Sequence, residues 1–248
     1  MSGASHPLRN TNPGVGRKME STRIRRQLFA TQDLTLSAAL AAFYIVSTFI
    51  PVDAFIGGAA IISLEIVTVP VIASLLKPVP ASATILVGSL GMAVFQTGTF
   101  PAFGIFALLI PIIATILGSF AFHYRYGSVL AWAYVLFGAI YYVTYSRGGT
   151  LFWLIPYIVV IVSLPIALTT TGTRSIIIRA FYTAMTWQVT LNILSIGVAG
   201  LLDGFWSIVT PFMLLERTIA TVGSVSLIIA LKSRLGTRLG LNQELVRR

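Results

Sequence analysis

Cysteine is absent from the 248 residues, which excludes a disulfide framework and a thiolate metal site. Histidine is nearly absent too. His6 and His123 both lie outside the expected apolar cores, and no H-E-x-x-H pattern occurs, so neither zinc nor another metal is expected. Charge is scarce: 10% of residues are charged, where a soluble chain carries about 25%. Acidic residues are scarcer still, 7 against 17 Lys and Arg. The chain has no G-x-x-x-x-G-K-[ST] loop to cradle ATP phosphates and no G-x-S-x-G elbow. Catalysis inside a membrane by Glu65 or Asp203 would lack a second well-placed carboxylate. An enzyme is therefore the weaker reading, and no cofactor is implied.

What is present is apolar. Hydrophobic residues make up 56% of the chain and mean hydropathy is +0.89, a composition that needs lipid as its solvent. Turn residues and charges divide residues 34–231 into eight expected helices: Leu34–Ile50, Gly57–Leu76, Ala81–Gln96, Phe103–Phe122, Gly127–Tyr145, Leu151–Thr170, Ile176–Leu202 and Ile208–Leu231. Most approach the ~20 residues that cross ~30 Å of hydrocarbon. Ala81–Gln96 is the shortest and is open to a broken or re-entrant reading, which would leave six spans. The expected fold is thus an all-α polytopic bundle in the cell membrane. Residues 1–33 and 232–248 form basic cytoplasmic tails, the first largely disordered, and the first helix is retained rather than cleaved as a signal.

Charge sets the orientation. With both termini inside, the inner side collects Arg9, Arg17, Lys18, Arg23, Arg25 and Arg26. It also takes Lys77, Arg125, Arg174 and Arg179, then Lys232, Arg234, Arg238, Arg247 and Arg248. Of the 17 basic residues only Arg147 falls outside, and Arg217 lies within the last helix; Asp53 and Asp203 mark outer loops. This asymmetry obeys the positive-inside rule and fixes an even number of spans. Net charge +10 raises the question of nucleic acid. The charge sits in juxtamembrane tails, where orientation and anionic lipid account for it, so no nucleic acid is expected.

Polar groups inside spans are costly, so each needs a partner or a task. Glu65, Gln96, Gln188, Asn192 and Arg217, with Glu216 beside the last, gather in the outer half; the inner half is nearly all aliphatic. Such a set fits a pocket for a small polar molecule. Structural alternatives stay open: Glu65 pairing with Arg217 across two helices, Gln188 and Asn192 as interhelical glue, and Tyr141, Tyr142, Tyr145 and Trp153 as an interfacial belt. On the inner half of the first span, Ala38 and Ala42 form a small-residue face that admits a close helix, within this chain or from a partner.

Three stretches carry a family resemblance. Leu34–Pro51 with its Ala-rich face and the following Pro51–Gly58 loop resembles the first helix and loop of substrate-binding S components of energy-coupling-factor transporters. The Lys77-Pro78 break, Gly88-Ser89-Leu90-Gly91 and Phe100-Pro101-Ala102-Phe103 resemble their central helices. Pro211-Phe212-Met213-Leu214-Leu215-Glu216-Arg217 resembles their last helix. The resemblance covers about two thirds of the chain. It implies capture of a vitamin, related micronutrient or metal ion from outside. It also implies partnership with a transmembrane coupling subunit and two cytoplasmic ATPases, docking through Ala38 and Ala42, and delivery by toppling. The family usually has six helices, so residues 127–170 read as an added hairpin. A stand-alone secondary transporter or channel would need a polar path through the inner half and shows no inverted repeat. A non-catalytic membrane scaffold would use the outer polar residues as glue.

Overall fold

The computed structural model describes residues 34–52, 63–146, 151–200 and 203–239, except the side chains of 203–209 and 235–239. The N-terminal basic residues, Asp53, the Pro51–Gly58 loop beyond Val52, Arg147, the side chains of Asp203 and Arg238, and Arg247 and Arg248 therefore lie outside the described residues. Contacts divide the chain after Leu36, and of the first unit only residues 34–36 are among the described residues. The second unit, Ser37–Arg248, is described below.

Eight helical segments follow one another among the described residues: α1 (Leu34–Ser47), α2 (Glu65–Leu75), α3 (Pro78–Phe95), α4 (Phe100–His123), α5 (Gly127–Tyr145), α6 (Leu151–Thr169), α7 (Gly172–Gly197) and α8 (Asp203–Leu239). Five contain a stretch long and apolar enough to cross a membrane, namely α3, α4, α5, α6 and the Thr210–Arg234 part of α8. The only β pairing among the described residues is one isolated bridge, Pro51 with Ser63, which closes the α1–α2 connection. The architecture is a membrane-type helix bundle.

The breaks follow local chemistry. Lys77 stands extended before Pro78 and Pro80, where a missing N–H costs a helix start nothing. Gln96 ends α3 in the left-handed conformation, and Pro101 opens α4, whose first turns are irregular up to Leu108. Inside α6, Pro165 has no N–H to offer the Ile161 carbonyl, and Trp132 Nε1 of α5 donates to that oxygen at 3.0 Å instead. Tyr182 of α7 donates to the neighbouring Val160 carbonyl, also at 3.0 Å. A break within lipid is tolerated because adjacent helices satisfy the freed carbonyls.

α2 is the axis. All eleven of its residues are buried, which suits a segment apolar on every side. α4, α7, α8 and α3 pack around it, and α1 joins through Ser47 Oγ, 3.2 Å from Thr68 Oγ1. The ends that meet give the helix directions. Gly118 and Ser119 of α4 touch Ala73, while Phe122 and Gly118 meet Arg179 and Thr183, so α4 runs parallel to α2 and antiparallel to α7. Trp132 with Ile161 and Tyr142 with Trp153 set α5 against α6; Ser163 with Tyr182 and Tyr157 with Asn192 set α6 against α7. One close approach is at Gly118, where a Cβ would stand 2.6 Å from the Thr183 side chain and 3.0 Å from Ala73.

Several boundaries differ from expectation. The short segment is the second, not the third: its described helix has 11 residues, whereas α3 is a continuous 18-residue helix and no re-entrant break. α7 starts at Gly172, which takes a positive φ of +65°, and stops at Gly197 rather than Leu202. α8 continues to Leu239, so the start of the expected C-terminal tail is helical. An amphipathic helix is not interrupted where its charges emerge from lipid, which is why hydropathy ended it too early.

Candidate functional site

Two buried polar clusters lie in the half of the bundle away from Lys77, Arg125, Arg179 and Lys232. The first surrounds Glu65. As the opening residue of α2 it sits where unpaired backbone N–H groups favour negative charge. Its side chain is wholly buried, and Tyr44 of α1 donates its hydroxyl to Oε2 at 2.7 Å. Tyr44 reaches it because α3 presents Gly88, where a Cβ would stand 2.7 Å from the tyrosine ring. The connection between α3 and α4 closes over the other oxygen. Gly98 has φ +57°, and a Cβ there would stand 2.7 Å from Glu65 Oε1, so glycine is required both for conformation and for room. Thr97 Oγ1, 2.7 Å from Thr48 Oγ1, ties this turn to the end of α1. Ser63 and the Thr99 backbone N–H lie beside the carboxylate. Oε1 nonetheless has no hydrogen-bond partner among the described residues.

The second cluster joins α6, α7 and α8. Gln188 Nε2 donates to Asn192 Oδ1 at 2.8 Å, one turn along α7, and Asn192 Nδ2 donates to the Tyr157 hydroxyl of α6. Arg217 of α8 is 1% exposed. Its Nη1 donates to the Ala184 carbonyl at 2.9 Å, and its Nη2 stands 3.5 Å from Glu216 Oε2. Gln188 Oε1, Trp187 Nε1 and Arg217 Nε have no partner among the described residues.

Glu65 and the pair Gln188 and Asn192 share a depth. Gly118 touches both Ala73 of α2 and Thr183 of α7, which marks one level in the bundle. Eight residues up α2 from Ala73 is Glu65; five to nine up antiparallel α7 from Thr183 are Gln188 and Asn192. At ~1.5 Å per residue these positions stand roughly 8–14 Å from that level.

Of the expected site residues, Glu65, Gln188, Asn192 and Arg217 are thus buried at the polar end, in two groups. Glu65 and Arg217 form no ion pair with each other; each has a nearer partner, Tyr44 and Glu216 respectively. Gln96 is exposed at the end of α3 and belongs to neither group. Ala38 and Ala42 are exposed on α1, on the face turned away from the bundle. The four aromatic residues divide. Tyr142 and Trp153 are buried with stacked rings 6.1 Å apart, whereas Tyr145 is 59% exposed and its ring lies tilted against Tyr141 at 4.7 Å. Tyr44, Tyr157, Trp187, Gly98 and Thr99 escaped the sequence reading. A tyrosine deep within a span, far from the interfacial belt, was the available signal for Tyr44 and Tyr157.

A groove of about 270 Å³ between α5 and α6 is lined by Ile140, Val143, Leu154 and Ile158. It is apolar and meets the second cluster only at Tyr157, whose ring forms part of its wall. No family model, curated protein or solved structure matches the chain.

Proposed function

We propose that this protein is the membrane-embedded substrate-capture subunit of an ATP-driven importer for a vitamin or similar small micronutrient. In this reading all eight helices lie in the cell membrane and both termini are cytoplasmic. The observation that carries the reading is the set of buried polar atoms without a partner among the described residues: Glu65 Oε1, Gln188 Oε1 and Arg217 Nε. A buried acceptor or donor left unpaired costs about 1–3 kcal/mol, and a polar ligand relieves that cost. Basic residues at the opposite end make the polar end the outer one, the side from which an importer captures its substrate. Glu65 and Gln188 supply acceptors and Arg217 a cation, so the substrate offers both hydrogen-bond donors and an electron-rich group. The resemblance to S components supplies the partners: a transmembrane coupling subunit, docking on the outward face of Ala38 and Ala42, and cytoplasmic ATPases.

One observation favours a second reading. Gln188, Asn192 and Tyr157 largely satisfy one another, as residues joining helices do, which suits a non-catalytic scaffold subunit. Mass spectrometry of the protein purified from its native membrane separates the two. A stoichiometric small molecule together with ATPase subunits supports capture; an empty protein holding other membrane subunits and no ATPase overturns it.

A further inference from the structure

At the end of the bundle opposite the polar clusters, three helices and the turn before α3 bring basic side chains near one another. Arg179, in the second turn of α7, donates Nη1 to the Phe122 carbonyl of α4 at 3.0 Å. Lys232 of α8 places Nζ 5.8 Å from the centre of the Phe122 ring. Lys232 and Arg179 are close enough to act on each other electrostatically, and Lys232 and Lys77 both act on His123. Like charges drawn this close at a partly buried position repel, and that repulsion needs an anion to offset it.

The protein offers none among the described residues. The two described carboxylates, Glu65 and Glu216, belong to the other end. Arg179 Nε is buried without a hydrogen-bond partner among the described residues; so is His123 Nε2, on a ring that is engaged by the backbone of Leu76 and Ala73. A guanidinium and an ammonium from two different helices thus converge on Phe122, and the guanidinium has a donor to spare. An aromatic ring and a held carbonyl fix where the two cations stand.

We propose that this basic cluster, where the end of α4 meets the start of α7 and Lys232 of α8, binds a phosphate group through Arg179 and Lys232, with His123 and the exposed Lys77 nearby. Guanidinium and ammonium donors match the dense charge and the several acceptors of a phosphate. The position, at the charged border of the apolar spans, is the depth of lipid headgroups. The same chemistry serves a lipid phosphodiester or free inorganic phosphate. The site is independent of the substrate-capture reading, since none of its residues belongs to the outer clusters.

The test uses the full chain in neutral detergent, probed separately with short-chain phosphatidylglycerol, short-chain phosphatidylcholine and inorganic phosphate, and read by native mass spectrometry and thermal unfolding. Phosphatidylglycerol is expected to stay bound and raise the unfolding temperature, with phosphatidylcholine weaker. Arg179→Gln or Lys232→Gln is expected to weaken binding about five- to tenfold. Binding of inorganic phosphate as well identifies a free-anion site; phosphatidylglycerol alone identifies a headgroup site; either supports the phosphate chemistry. Arg179→Gln also removes the bond to Phe122, so the exposed Lys77→Gln serves as a second variant, with an expected loss of about threefold. The proposal is overturned if no probe binds better than phosphatidylcholine. It is equally overturned if Lys232→Gln and Lys77→Gln bind as tightly as wild type, or if all anion binding is lost when only the basic residues of 1–33 are neutralised.

Discussion

Tyr44 and Glu65 show how one hydrogen bond governs a buried charge. The Tyr44 hydroxyl is the partner of Oε2 among the described residues, at 2.7 Å, and both side chains are fully buried. Tyr44→Phe strands that oxygen and is expected to destabilise the protein by about 1.5–3 kcal/mol in a detergent unfolding titration. Glu65→Leu in the Tyr44→Phe background should recover much of the loss, because both partners are then apolar; simple additivity of the two changes would show that the bond contributes nothing. Gly98 provides a second residue-scale prediction. Gly98→Ala meets Glu65 Oε1 and also demands a positive φ of an L residue, so a loss of about 1–3 kcal/mol is expected by the same titration. Loss of the small molecule purified with the protein should accompany it if this turn shapes the capture site. At this scale the sequence was half legible. Glu65, Gln188, Asn192 and Arg217 announce themselves because polarity inside an apolar run is rare. Their partners do not: Tyr44 and Gly98 lie 21 and 33 residues from Glu65, and only packing shows that they meet it.

Between helices, the α5–α6 contact depends on an exchange of donors. Pro165 removes an N–H from α6 and Trp132 replaces it at the Ile161 carbonyl. Trp132→Phe is expected to cost about 0.5–1.5 kcal/mol. In a Pro165→Ala background the cost should shrink, since an N–H four residues on can again reach Ile161; a double-mutant cycle in detergent measures that coupling, and none would remove the explanation. The α4–α7 contact depends instead on a missing side chain. Gly118→Ala puts a methyl against Thr183 and Ala73 and should destabilise by about 1–3 kcal/mol, read as a lower unfolding temperature. Helix limits were predicted well where charge or proline stops an apolar run, as for Gly127–Tyr145, which the structure reproduces. They were predicted poorly for α7 and α8. α7 is buried among other helices, so its polar residues depress the hydropathy that was meant to reveal it. α8 carries its helix past the apolar stretch into charged sequence.

For the whole molecule, alternating helices put Lys77, His123, Arg125, Arg179 and Lys232 at one end and the clusters of Glu65 and Arg217 at the other. That polarity predicts where the ends of the chain lie. Reporter fusions at residue 1 and at residue 248 should both be active only as cytoplasmic reporters; a tag on one terminus alone accessible from outside would refute the even parity, and tags accessible on both would refute the orientation. That the chain is helical and apolar enough for a membrane, and which of its ends carries positive charge, is legible in the residues alone. Those properties follow from composition and from the one-dimensional order of charges along apolar segments. Only the tertiary structure decided that α2 is the buried axis, that Glu65 and Arg217 keep separate partners, that Gln96 stands apart, and that Arg179 and Lys232 converge. Each of these depends on how a helix is rotated about its own axis. In a chain apolar on nearly every face hydropathy leaves that rotation free, and close packing at positions such as Gly88, Gly98 and Gly118 sets it.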